Sequence, residues 1–139
     1  MDPIIIEYAG KPNILEGGAP RDVIVGLETD GGELLKTASF ECLALGRPAP
    51  VIHWYYIIVN QDGTMGTKKR LSNDDRFNIT SNSGSEDRTR RFQRTSMLTM
   101  SVTENDGGII KCQTGASFKD AYLTVLSKFH WAINAKLNT

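Results

Sequence analysis

The feature that most limits what this chain can fold into is a pair of cysteines, Cys42 and Cys112, the only two in 139 residues. Each falls in a stretch whose apolar residues recur with a period of two, the signature of a strand with one buried face. Residues 37–45 place Ala38, Phe40, Cys42 and Ala44 on one side, and the stretch before residue 112 places Ile110 and Cys112 together. Between them, residues 51–59 put Ile52, Trp54, Tyr56 and Ile58 inward and His53, Tyr55 and Ile57 outward. Joining the cysteines would close a loop of about 70 residues, worth roughly 4 kcal/mol, and such bridges persist in oxidising compartments. The alternative is two buried free thiols in a reducing one.

The rest of the chain continues the pattern. Residues 1–20 hold short apolar pieces, Ile4-Ile5-Ile6 and Ile14-Leu15, broken by Gly10, Pro12, Gly17, Gly18 and Pro20. They read as an irregular first strand on a sheet edge. Val23-Ile24-Val25 follows, then a turn at Thr29-Asp30-Gly31-Gly32. Asn60-Gln61-Asp62-Gly63 signals a hairpin, with residues 65–71 returning. Residues 76–80 form a short strand, and polar residues 81–94 read as a long loop or frayed hairpin. Residues 96–103 alternate with Leu98, Met100 and Val102 inward. A tight turn at Thr114-Gly115-Ala116-Ser117 leads to a last strand with Ala121, Leu123 and Val125 inward. Eight or nine short strands without helical period make the chain all-β. Residues 127–139 read as a tail or linker, although Phe129, Ala132, Ile133 and Leu137 have helical spacing.

Lys plus Arg equal Asp plus Glu at 16 each, which gives no case for a nucleic-acid or membrane-surface partner. No apolar run approaches the ~18 residues of a membrane span. The opening residues, Met1-Asp2-Pro3-Ile4, lack the basic region and long apolar run of a signal peptide.

Taken in order, Phe40-x-Cys42, Gly46-x-Pro48-x-Pro50, Trp54, Leu98-x-Met100-x-Val102 and Asp106-x-Gly108-x-Ile110-x-Cys112 resemble an immunoglobulin superfamily domain of the variable or intermediate type. The resemblance covers residues 20–126. It implies an immunoglobulin-like antiparallel two-sheet sandwich with one inter-sheet disulfide, Cys42 to Cys112, beside Trp54 as the core pin. One domain over residues 1–126 is expected. The resemblance also pairs Arg76 with Asp106 at the corner before the second cysteine, where arginine geometry suits a carboxylate. Two departures stand out. The family's corner tyrosine is Ile110 here, so its hydroxyl bond to the corner is expected to be lost. No Phe-Gly-x-Gly follows Cys112, which disfavours an antigen-receptor variable domain; the Gly-x-Pro-x-Pro turn is more like adhesion and receptor domains.

Catalytic signals are sparse. His53 and His130 have no partner at metal-ligand spacing, and acid pairs such as Asp74-Asp75 sit in turns where carboxylates are solvated. A non-enzyme without cofactor or metal is expected. Three features point to binding. The outward set Tyr55, Ile57, Ile109, Lys111, Gln113 and Tyr122 has the aromatic and aliphatic make-up of an interface centre. Arg88, Arg90, Arg91 and Arg94 form a basic loop suited to an acidic protein or glycan. Asn78-Ile79-Thr80 is a glycosylation sequon. The expected function is an extracellular adhesion or receptor module, secreted or on a cell-surface protein. It would bind a protein partner, either itself or another cell-surface or secreted protein. The alternative is a structural immunoglobulin domain of an intracellular muscle or cytoskeletal protein, with reduced cysteines.

Overall fold

The structure, a computed structural model, describes residues 12–27, 36–47, 49–60, 62–86 and 92–127. Among them, nine strands form two sheets. They are β1 (Asn13–Ile14), β2 (Val23–Leu27), β3 (Lys36–Gly46), β4 (His53–Ile58), β5 (Lys69–Arg70), β6 (Phe77–Glu86), β7 (Phe92–Val102), β8 (Gly108–Thr114) and β9 (Ser117–Ser127). One sheet runs β1-β3-β7-β6 and the other β2-β9-β8-β4-β5. All pairs are antiparallel except β2 with β9, which run parallel from Val23 beside Leu123 to Leu27 beside Ser127. That parallel pair is the one exception to the antiparallel sandwich expected from sequence.

Alternation explains the core. Ala38, Phe40, Cys42 and Ala44 of β3 face Leu98, Met100 and Val102 of β7, and Trp54, Tyr56, Ile110, Cys112, Ala121 and Leu123 close the layer from the other sheet. Cys42 and Cys112 are fully buried and bonded across the sheets, with their Cα atoms 6.5 Å apart. The Trp54 indole packs with them, and its Nε1–H donates to the buried Ser96 hydroxyl at 2.9 Å. Ser96 lies opposite Cys42 in the β3–β7 register and passes its own proton to the Thr80 carbonyl at 3.1 Å. The polar edge of the indole is therefore satisfied inside the core, where an orphaned N–H would cost about 1–3 kcal/mol.

The corner before β8 corrects one expectation. Ile110 is buried, as its inward position requires, but the hydroxyl bond to the corner is not lost. Tyr56, directly opposite Ile110 on β4, supplies it. Its hydroxyl donates to Asp106 Oδ1 at 2.9 Å and accepts from the Gly107 N–H at 2.9 Å. Asp106 Oδ1 also meets the Arg76 guanidinium, and Oδ2 takes the Thr103 N–H at 2.8 Å. Arg76 Nε reaches the Ser101 carbonyl at 3.2 Å. The tyrosine has moved one strand over while its hydroxyl still reaches the corner.

Three local expectations differ, and one pair of alternatives is decided. Residues 65–71 pair only at Lys69–Arg70, with a single bridge between Val59 and Met65, because the returning chain meets β4 irregularly around Gly66. Of the two alternatives for residues 81–94, the hairpin holds over the described residues: β6 and β7 pair in register up to Ser83 beside Arg94, then shift before Glu86. Backbone pairing holds strands that side-chain pattern does not reveal. Ile58, expected inward, is 38% exposed, since only the short β5 continues its sheet on that side. Ile109, expected outward, is only 8% exposed, because Ile57 and Tyr122 flank it across the ladder. The turns at residues 29–32 and Pro48, the apolar piece at residues 4–6, and the tail beyond residue 127 lie outside the described residues.

Candidate functional site

Registers of β4, β8 and β9 set the outward residues of the second sheet in rows. Ile57, Ile109 and Tyr122 make one row, Tyr55, Lys111 and Asp120 the next, and His53, Gln113 and Phe118 the third. All six residues singled out from sequence on this face are thereby brought together. Their exposure differs. Tyr122 is 56% exposed, Tyr55, Ile57, Lys111 and Gln113 are half-buried, and Ile109 forms a floor between Ile57 and Tyr122.

Two large apolar residues on this face were not singled out from sequence. Phe118, 53% exposed, shares the face of Tyr122 because the turn at Gly115, at φ 55°, starts β9 directly after it. Counting by twos from that turn would have found it. Ile24, 71% exposed, stands beside Thr124 across the parallel β2–β9 pair, which the sequence does not disclose.

Charged groups order the face. Lys111 Nζ lies 3.1 Å from Asp120 Oδ1 and 4.0 Å from the Phe118 ring centroid, so one cation fixes a carboxylate and an aromatic ring together. At the β4–β5 edge, Lys68 Nζ sits 4.3 Å over the Tyr55 ring, and Arg70 Nη2 lies 2.8 Å from His53 Nδ1. Burial first, and the Arg70 charge second, hold the His53 pKa below its usual value, so its ring is neutral and Nδ1 accepts. Exposed aromatic and aliphatic side chains thus stand amid a few anchored charges on this face. Among the described residues, no group of three His, Cys, Asp or Glu side chains is placed to hold a metal ion.

The remaining sequence candidates lie elsewhere. The Arg76–Asp106 pair is at the corner, with Asp106 buried. Asn78 and Thr80 of the sequon are exposed on β6, an edge strand of the first sheet among the described residues, while Ile79 packs on the core. Arg94, expected in a basic loop, is in strand β7 and half-buried, with its Nε buried and without a hydrogen-bond partner. Arg88, Arg90 and Arg91 lie outside the described residues.

The two sheets, the cross-sheet disulfide and the indole beside it define an immunoglobulin-like domain. Solved structures agree. The chain is similar to the I81 domain of titin at 20% identity and a TM-score of 0.51, over 84% of this chain and 98% of that one. It is also similar to an E-to-A variant of titin domains I67–I69, at 20% identity and 0.55, over 85% of this chain and 33% of that one. The tandem Ig repeats of Dlar match at 24% identity and 0.50, over 84% and 47%. At these identities the likeness is one of fold. No protein-family model and no curated protein matches the chain.

Proposed function

We propose that this is an extracellular immunoglobulin-like recognition module that binds a protein partner, itself or another cell-surface or secreted protein, through the outward face of β4, β8 and β9. The observation that carries the reading is the clustering of Tyr122 and Phe118, both more than half exposed, around the half-buried Tyr55, Ile57 and Lys111 on one rigid sheet. Rigid aromatic anchors with low ordering cost are what interface centres are built from. The bridged cysteines support an oxidising compartment, and the exposure of the sequon at Asn78 is in keeping with a glycan there. The disulfide acts as scaffold and the face makes the contact. Residues 1–126 act as the one domain and 127–139 as its tail, with no catalytic step.

The test is an array of extracellular ectodomains, including this chain itself, probed with multimerised wild-type protein and with Tyr122→Arg and Tyr55→Ala. The variants should weaken the wild-type hits by about tenfold or more, because one sets a charge and the other a truncated side chain where an aromatic anchor would be buried against the partner. Their thermal unfolding should stay near wild type, since neither ring enters the core. Hits that bind all three proteins equally would refute the face, and an array without hits would refute the function.

A further inference from the structure

From the opening at the opposite edge of the same sheet, we infer a second binding site, for an extended acidic peptide of a partner protein. β5 ends its sheet, so the outer backbone groups of Lys69 and Arg70 meet no further strand among the described residues. Such an edge takes an added strand when a partner offers one. Directly beside it, between the sheets, opens a cavity of about 580 Å³. Tyr56, Ile58 and Phe77 give it an apolar floor, and Lys68, Lys69 and Arg70 of the edge segment also line it.

These cations have no carboxylate at ion-pair distance among the described residues. Lys68 lies over Tyr55, Lys69 Nζ is 5.8 Å from the Phe77 ring centroid, and Arg70 reaches the neutral His53. The nearby Asp74 carboxylate is exposed, accepts from the N–H groups of Arg76 and Phe77 at 2.7 and 2.8 Å, and also feels the Lys69 charge. Arg76 is engaged with Asp106. Lys69 therefore carries its charge toward the apolar cavity, while Lys68 and Arg70 carry theirs to the outer face of the same edge strand, beside Tyr55 and His53. An extended peptide satisfies edge, cavity and charge at once: its backbone continues the sheet, one apolar side chain fills the cavity, and its flanking carboxylates, which alternation points to the other face, meet Lys68 and Arg70. A sulfated glycan would answer the charge alone, and an apolar ligand the floor alone.

The test is an NMR titration of the 15N-labelled protein with a short blocked peptide that alternates glutamate with valine around a central phenylalanine. Saturable shifts at Ile58, Thr67, Lys69 and Arg70 are expected. Lys68→Glu with Arg70→Glu should weaken binding about tenfold and abolish its salt dependence. Thr67→Phe, which fills the exposed mouth without touching charge, should also abolish it. Tyr122→Arg should leave it unchanged, which separates this site from the aromatic face. Absence of shifts at these residues in the wild-type protein would overturn the inference. So would full binding to Thr67→Phe, or heparin displacing the peptide from an otherwise identical set of shifted residues.

Discussion

Tyr56→Phe is the perturbation that best separates a packed ring from a working hydroxyl. The change keeps the ring, 6.5 Å edge-on from Phe77, and removes one oxygen. That oxygen donates to the Asp106 carboxylate and accepts from the Gly107 N–H. Asp106 keeps Arg76 and Thr103, so its charge is not abandoned. The Gly107 amide, however, loses the hydroxyl. A hydrogen bond to a charged acceptor contributes about 1.5–3 kcal/mol and a neutral one about 1, offset by no longer burying a hydroxyl, for a net loss near ~2 kcal/mol. For a domain of this size that lowers Tm by about 8 °C. Tyr55→Phe is the control: its ring lies on the outer face and should change stability by less than ~0.5 kcal/mol. A second signature is alkaline. Burial is the largest cause that pushes the Tyr56 phenol from 10.0 up to about 12. The native state thus holds a proton that the unfolded chain releases, so this contribution is whole below pH 10 and is lost as pH rises from 10 through 12. Tyr56→Phe should flatten that slope in urea melts followed by circular dichroism. Stability within ~0.5 kcal/mol of wild type, with the alkaline slope intact, would refute the assignment of Tyr56 to the corner.

Three other perturbations probe separate joints. Ser96→Ala strands the Trp54 N–H in the core and should cost about 1–3 kcal/mol in urea unfolding, whereas a neutral result would mean the indole finds another acceptor. Gly108→Ala should destabilise by more than ~3 kcal/mol or prevent folding, since its φ is 152° and a Cβ would come 2.1 Å from the Ile57 carbonyl oxygen. A soluble, near-native Gly108→Ala would show that the β4–β8 register can slide. His53 has a pKa below its usual 6.5, so its contribution is present above pH 6.5 and fades as pH falls below it. The ring is partly exposed, so the loss is small, and a His53→Gln variant should lack it in pH-dependent melts.

Strands with one face against the core were legible because a period of two leaves no other reading: Phe40 and Cys42, Trp54 and Tyr56, Leu98 and Met100, and Ile110 and Cys112 all face in. The β6–β7 hairpin beyond Ser81 was legible only as one of two alternatives, since its polar side chains carry no period and backbone pairing alone extends it to Glu86. Parallel pairing of β2 with β9 joins segments about a hundred residues apart, and nothing local encodes it; Ile24 on the face was hidden for the same reason. By alternation Tyr56 is an inward residue, which is true of its ring. Its hydroxyl answers a vacancy created two positions before Cys112, on another strand. Arg94 looked like part of a basic loop because charge clusters in sequence, while the register carries it into the sandwich end. The candidate face was legible in outline, since Tyr55, Ile57, Lys111, Gln113 and Tyr122 follow from alternation, but Ile109 sinks between larger neighbours that only register identifies.

The extracellular reading depends most directly on the state of Cys42 and Cys112 in the natural setting. Protein taken from its native source should be quenched in acid, unfolded in alkylating reagent without reductant, and its labelled thiols counted by mass. No alkylated cysteine is the predicted result, with two appearing only after reduction and with stability then lower by about 4 kcal/mol. Two alkylated cysteines in unreduced native protein would contradict the extracellular recognition module and leave a domain held by packing alone.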